Sequence, residues 1–472
     1  MAAESLNSFF TRINYNLKDK YLFTFTARAD GSSKFGAANK WGFFPSAAAA
    51  WKISEEDFLA DNTVISNLKL RASYGQTGNS SIPAYSSEAQ LGPGPNIGGS
   101  NIPGYTAAFG SSSAGGTGLI TLENSDLRWE IVTQYDIGVE LGLFDNRVNL
   151  EVDYYNRKTT DMLLNAPIPQ TSGFSVLTQN IGSMENKGFE LSLNSTNIDT
   201  ANFTWNSTFN ISMNTNEVLS LASPSDIFNV GSGNYRGGGS IIRIGEAMGS
   251  MYGFTRLGVW GTDEATEAAR YGLLPGDVKH KDFNGDSVID NDDRSIIGNG
   301  YADAYGTFVN YFTYGNFDLT IDLQYSIGND VADLAIDEGE NVIGRTNHYI
   351  TVLDAWTPNN QNTMIPQLRN ASAGYVSLYD SHMVKDGSFL RGNNLMFGYT
   401  FNPELLQRIN LNNLRIYASA QNFFLIMNKD LMGDPEVDDK NAFGGSGVAS
   451  QGVKWYDYPR SSTFVLGLQI GL

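Results

Sequence analysis

The stretch 129–157 restricts what this chain can fold into more than any other. Trp129, Ile131, Thr133, Tyr135, Ile137, Val139, Leu141 and Leu143 fall on one side of an extended backbone. Arg128, Glu130, Gln134, Asp136, Gly138, Glu140 and Gly142 fall on the other, with Val132 the one apolar exception. Asp145-Asn146 suits the left-handed positions of a tight hairpin. The return arm then sets Val148, Leu150, Val152 and Tyr154 against Asn149, Glu151, Asp153 and Arg157. Strands of soluble domains average about 5–6 residues. A strand crossing hydrocarbon needs ~9–11, with lipid on one face and a wet lumen on the other. Charges on the polar face would not survive unpaired in a sandwich core. The pattern therefore predicts a membrane β-hairpin.

The same alternation recurs along the chain. Further strands are expected at 9–18, 21–30, 41–52, 67–77, 184–196, 202–214, 239–246, 249–260, 304–314, 317–328, 387–401, 412–425 and 460–472. With the central hairpin they make about fifteen. Short turns at Lys18-Asp19, Asp145-Asn146, Thr200-Ala201, Ala247-Met248 and Gly315-Asn316 alternate with loops at 78–127, 163–183, 261–303, 329–386 and 426–459. Outer-membrane barrels show this asymmetry, with short periplasmic turns and long extracellular loops. The expected fold class is all-β, an antiparallel transmembrane β-barrel. An odd strand count whose first strand starts outside the cell implies that earlier strands are missing, because closed bacterial barrels have even counts.

Composition narrows the function. The net charge of −19 argues against nucleic-acid binding. Cysteine is absent, which removes disulfides and thiolate metal sites. No apolar run is long enough for a transmembrane helix. The opening Met1-Ala2-Ala3-Glu4-Ser5 has neither the basic nor the apolar part of a secretory signal. A truncated chain is expected on that ground too. Taken alone it would leave two unpaired sheet edges in lipid, and a closed, full-size barrel is not expected from it.

Motifs spread over nearly the whole length carry a resemblance. They include Arg12-Ile13-Asn14-Tyr15 with Asp19-Lys20-Tyr21-Leu22, Arg28-Ala29-Asp30-Gly31-Ser32-Ser33-Lys34-Phe35-Gly36, and Trp41-Gly42-Phe43-Phe44-Pro45-Ser46. Leu68-Lys69-Leu70-Arg71, Tyr74-Gly75-Gln76-Thr77-Gly78-Asn79, Asn186-Lys187-Gly188-Phe189-Glu190 and Asn316-Phe317-Asp318-Leu319 follow. Asp386-Gly387-Ser388-Phe389-Leu390-Arg391 and Gly433-Asp434-Pro435-Glu436 come last. In this order they resemble the C-terminal barrel portion of SusC/RagA-type TonB-linked outer-membrane transporters. The resemblance implies that residues 1–472 are part of a plugged barrel of about 22 strands. The plug, the signal peptide, the TonB-contacting segment and about seven earlier strands would be absent. It further implies TonB-dependent import of oligosaccharides or peptides, a SusD-like surface lipoprotein as partner, and coupling to the TonB complex through the missing N-terminal region. One departure is Leu472, where outer-membrane proteins usually end in an aromatic residue.

The strongest chemical motif is 282–293. Asp282, Asn284, Asp286, Asp290 and Asp293 place oxygens at positions 1, 3, 5, 9 and 12 of an EF-hand-like loop, with the Val288 carbonyl at 7. Ser287 stands where glycine makes the sharp turn, and Asp293 replaces the longer glutamate. The segment reads either as a structural calcium loop or as a solvated acidic turn. No other cofactor is expected. Arg12, Arg28, Lys69, Arg71, Glu130, Asp136, Glu140, Glu151, Asp153 and Arg157 read as a hydrated inner wall. Tyr15, Tyr21, Trp129 and Tyr154 read as interfacial girdle aromatics. Loop tyrosines such as Tyr85, Tyr105, Tyr235 and Tyr375 are the candidates for glycan stacking. Asp380-Ser381-His382 has the letters of a catalytic triad, but sequence neighbours seldom supply its geometry. No enzyme is expected. The leading expectation is thus a nutrient transporter of the outer membrane, in contact with outer-membrane lipid. The alternatives are a secreted or surface calcium-binding β-protein that acts as a glycan-binding adhesin, and a passive outer-membrane pore.

Overall fold

The structure, a computed structural model, describes residues 4–93, 96–97, 100–101, 106–109, 112–115, 117–174, 176–221, 226–229, 238–340, 347–368, 378–407, 411–437, 451–455 and 458–471. Leu472 lies outside them. Thirteen long strands follow chain order in one sheet. They are β1 Leu6–Leu17, β2 Tyr21–Ser32, β3 Trp41–Lys52, β4 Ile65–Asn79, β5 Glu130–Leu143, β6 Val148–Thr160 and β7 Ser183–Asp199. The rest are β8 Phe203–Ser220, β9 Ala304–Tyr314, β10 Phe317–Ile327, β11 Phe389–Thr400, β12 Asn413–Met427 and β13 Thr463–Gly471. No described helix is long and apolar enough to cross a membrane. The chain divides into two compact units, 1–146 with 150–189 and 216–225, and 147–149 with 190–215 and 226–472.

In the first unit the register shows why period-two sequences give two different faces. Ile13, Phe25, Ala47, Tyr74 and Tyr135 stand opposite one another across β1 to β5. The next row is Asn14, Thr24, Ala48, Ser73 and Asp136. Successive side chains alternate sides of a pleated strand, so one residue of advance turns an apolar row into a polar one. Ring pairs sit on the apolar face: Phe9 with Trp41 at 6.0 Å, Tyr74 with Tyr135 at 5.0 Å and Tyr154 with Phe189 at 4.9 Å. Tyr21 and Trp51 pair at 6.4 Å towards the opposite ends of their strands. Phe9–Trp41 and Tyr21–Trp51 thus stand near opposite ends of the strands, whereas Tyr74–Tyr135 lies at mid-strand. Lys18 and Asp19 both take positive φ, 55° and 54°, and close the β1–β2 hairpin with the twist that flanking strands require.

The second unit repeats the pattern. Asn210, Thr307, Gln324 and Arg391 form a polar row across β8 to β11, beside the row Phe209, Phe308, Leu323 and Gly392. Towards β13, Leu319, Phe397, Ala418 and Leu466 line up on the apolar side. This unit also holds a core built wholly from connections. Met251, Ala332, Leu334, Tyr379, Met383 and Val453 are buried together, and Ile297, Val384 and Trp455 pack against them.

Two of the expected strands belong to this loop-built part and not to the wall. The stretch expected at 239–246 forms Gly239–Ile242, and that expected at 249–260 forms Ser250–Phe254 and Arg256–Val259. The first two lie in a four-stranded sheet with Ile227–Asn229 and Arg294–Gly298, and the third pairs with Val278–His280. They are buried on both faces, apart from Leu257. A strand covered on both sides has no need of the alternation that marks a wall strand.

Candidate functional site

The polar face of the wall is the first feature able to meet a solute. In the first unit, Lys69 on β4 pairs with Glu140 on β5 at 2.9 Å. Arg71 holds Asp153 of β6 at 2.6 Å and also engages Glu151. Its reach across β5 depends on Gly138, because any Cβ there would collide with Asp153 and Arg71. Ser73 donates to Asp136 at 2.8 Å, as does Gln134 at 2.7 Å. Arg12, Thr26, Ser46, Gln134, Asp136 and Arg157 line a hollow of about 330 Å³ on this face. Eight of the ten expected inner-wall charges, Arg12, Lys69, Arg71, Asp136, Glu140, Glu151, Asp153 and Arg157, thus meet on one surface, four of each sign.

Trp129 departs from the girdle expectation. It is only 6% exposed and packs with Phe35, Phe44, Ile82 and Leu127. Its Nε1 donates to the Lys40 carbonyl at 3.0 Å. It precedes β5, so strand parity does not govern where it points. The cluster also accounts for the motifs 28–36 and 41–46, each of which supplies one of its aromatic rings.

In the second unit the polar face carries a cleft of about 690 Å³ between β8–β11 and the loops folded onto them. Glu436 and Arg460 are its charged lining residues, and behind them Arg391, 2% exposed, holds Asp434 at 2.6 Å and Glu436 at 3.0 Å. Glu436 also accepts from Gln324 Nε2 at 3.0 Å and pairs with Arg460 at 3.0 Å. Two stretches far apart in sequence, 386–391 and 433–436, are thereby tied at one ion-pair cluster. Sequence alone recorded both motifs without the pairing.

The 282–293 segment folds as a tight turn satisfied by its own amides. Asp282 accepts from the N–H groups of Gly285 at 2.6 Å and Ser287 at 2.9 Å. Asn284 Oδ1 accepts from Asp286 N, and Asp286 accepts from Val288 N. Asp290 caps a single 3₁₀ turn at Asn291–Asp293 by accepting from Asp292 N. Asp293 is fully buried and takes the N–H groups of Phe283 and Asp290. Ser287 adopts φ 65°, the left-handed conformation that glycine supplies in calcium loops, so its side chain does not prevent the turn. Partial desolvation opposes the charge of Asp282, yet the Gly285 and Ser287 amides hold its carboxyl below the usual range. Among the described residues, no group of three or more His, Asp or Glu is placed to share a metal ion.

The triad letters separate in space. Asp380 takes Arg256 Nε at 2.7 Å and His280 Nε2 at 3.0 Å, all three buried. Ser381 Oγ accepts from Arg256 N, whereas His382 faces Glu340 at 2.6 Å. Burial works against the Asp380 charge, and the Arg256 guanidinium and His280 outweigh it, holding the carboxyl below its ordinary value. Glu340 is lowered in the same way: burial opposes its charge and His382 outweighs that. These are structural contacts of the loop core, with no nucleophile–base contact among the described residues. Of the loop tyrosines, Tyr85 is exposed, while Tyr105, Tyr235 and Tyr375 lie outside the described residues.

Comparison with known proteins fits this architecture. Residues 3–329 match the family model described as TonB dependent receptor-like, beta-barrel. TonB-dependent receptor P3 of Formosa agariphila is 38% identical over 471 residues, covering 98% of this chain and 45% of that protein. TonB-dependent receptor SusC of Bacteroides thetaiotaomicron is 32% identical over 487 residues, covering 99% and 44%. The chain thus spans under half the length of the curated relatives it matches. Among solved structures, that of the RagAB peptide transporter superposes with a TM-score of 0.80 at 27% identity, covering 99% of this chain and 48% of that one. These relatives are receptors and transporters of the outer membrane, not enzymes. A wall of alternating strands, a paired polar face and a loop-built core lead to one assignment: the chain belongs to the TonB-dependent receptor β-barrel family of the outer membrane, among its SusC-like members.

Proposed function

We propose that this chain supplies barrel wall and extracellular loops to a TonB-dependent importer of nutrients, the C-terminal part of a larger plugged barrel. The observation that carries the reading is the match to the RagAB peptide transporter over 99% of the chain, with the wall's polar face lined by paired charges. Such a face lets a hydrated solute pass without either sign of charge trapping it. The cargo is an oligosaccharide or a peptide, captured with a SusD-like lipoprotein over the loops and driven by the TonB complex. Uptake of labelled oligosaccharides and peptides by cells with and without the gene tests this. Loss of uptake on deletion, and on dissipating the proton gradient in the parent strain, is expected. Uptake that persists without the gradient would leave a passive pore. Co-purification of a surface lipoprotein in mild detergent tests the partner.

A further inference from the structure

We infer that the connection between β3 and β4, residues 53–64, is a membrane anchor. It lies in the lipid headgroup layer at the short-turn end of the wall, and Phe58 enters the acyl chains of the periplasmic leaflet. The connection differs from its neighbours at that end. Residues 18–20 suffice to join β1 to β2, and 144–147 to join β5 to β6, whereas 53–64 holds two 3₁₀ turns, Ile53–Glu55 and Asp57–Leu59.

These turns are tied to the lipid-facing side of the sheet. Leu17, Tyr21, Trp51, Leu70 and Val139 stand opposite one another across β1 to β5 and form one apolar row. Glu56, between the two turns, accepts from the Tyr21 hydroxyl at 2.7 Å and from Trp51 Nε1 at 3.0 Å. Lys20 Nζ adds a third contact at 3.1 Å. Tyrosine and tryptophan at a membrane surface keep the ring body in oil and turn the polar tip towards headgroup atoms. Here a carboxylate of the chain itself takes both tips. The connection therefore occupies the level that headgroups occupy around the rest of the wall, outside the sheet and away from its polar face.

The apolar side chains at this end need a cover. Phe58, two positions beyond Glu56, is 71% exposed. Val64 precedes β4 and Phe144 follows β5; both are exposed, and the Phe144 N–H donates to the Val64 carbonyl at 2.8 Å. None of the three belongs to a wall strand. The exposed charges of the connection, Glu55, Asp57 and Asp61, are all acidic. Anionic lipid would not attract them, so insertion rests on the apolar ring. A protein partner is the other means of covering such residues. The clamp on Tyr21 and Trp51 favours lipid, because it holds the connection against the lipid-facing row.

The test uses the protein purified from outer membranes and reconstituted in phosphatidylcholine vesicles. The chain has no cysteine, so Phe58→Cys gives it one thiol for an apolar nitroxide ring, and the unsubstituted protein sets the background. Power saturation compares oxygen, which concentrates among acyl chains, with a nickel chelate, which stays in water. Val139→Cys is the reference in lipid and Asp145→Cys, in the β5–β6 turn, the reference in water. The Phe58 label should favour oxygen over the chelate about tenfold more than the Asp145 label does, the ratio given by ~1.4 kcal/mol of transfer free energy. A label at Ala60, which is exposed, leaves Phe58 in place. Phe58→Ser and Glu56→Ala should each raise its chelate access severalfold. Heat-modifiable migration checks that each variant is folded. Chelate access at Phe58 equal to that at Asp145 would overturn the anchor. Protection from both reagents would overturn the lipid and indicate a protein cover. An Ala60 label indifferent to Phe58→Ser would overturn the role of the ring, and one indifferent to Glu56→Ala would overturn the clamp.

Discussion

Replacement of Arg391 by alanine isolates the cluster that ties the 428–437 loop to the wall. The guanidinium is 2% exposed and lies 2.6 Å from Asp434 and 3.0 Å from Glu436. Removing one member of a buried pair costs ~3–5 kcal/mol, because the charge left behind has neither water nor partner. Here Glu436 keeps Arg460 and Gln324, so the penalty falls on Asp434, which retains the Glu436 N–H but no cation. The lower end, ~3 kcal/mol, is therefore expected. β11 keeps its ladders to β10 and β12, so the loss should appear as local opening of the loop. At 1.4 kcal/mol per factor of ten, amide exchange across 428–437 should quicken about a hundredfold. Hydrogen–deuterium exchange read by mass spectrometry on the detergent-purified protein measures this, with β11 and β12 peptides as the internal reference. Arg391→Met combined with Asp434→Leu, which removes both charges, should recover most of the protection. Loop exchange within about threefold of the parent would refute the reasoning, since it would leave the buried pair worth less than ~0.7 kcal/mol. Acceleration spread evenly over the wall would refute it too.

Three further outcomes are expected. Trp129→Ala should cost ~3–5 kcal/mol in a detergent thermal or denaturant melt, as a large buried ring does; a change under ~1 kcal/mol would return Trp129 to the lipid surface. Asp380 has a depressed folded pKa, so its contribution is complete above the ordinary carboxylate value near ~3.9 and is lost as pH falls through the lower folded value. Tryptophan fluorescence of the loop core should accordingly hold at pH 5 and decline only below about pH 4, and a decline beginning near pH 6 would contradict that. Calcium titration of the purified protein tests the expectation for 282–293: heat at millimolar calcium that vanishes in Asp286→Asn would establish the site, and no heat at that concentration would remove it.

The wall was legible in the chain because the membrane imposes a simple rule on each strand. Oil on one side and water on the other force a two-residue alternation, which is why β5 and β6 were readable residue by residue and Lys18-Asp19 was readable as their kind of turn. The loop core obeys no such rule. Gly239–Ile242 and Ser250–Phe254 are buried on both faces, so their apolar content imitated wall strands without being part of one. Trp129 followed the parity of its neighbours on paper, but it stands one residue before the ladder begins, where packing against Phe44 and Phe35 decides its direction.

The chain alone determined the face of nearly every wall residue, the long loops on one end, and the family motifs, since all of these follow from local periodicity and spacing. Tertiary structure alone decided that Arg391 meets Asp434, that Asp380 pairs with the Arg256 and His280 side chains while the His382 imidazole turns to Glu340, and that Tyr305 lies open between two serines. Those pairings join residues tens to more than a hundred positions apart. Their energy comes from burial and from the register between distant strands, which no window of sequence contains.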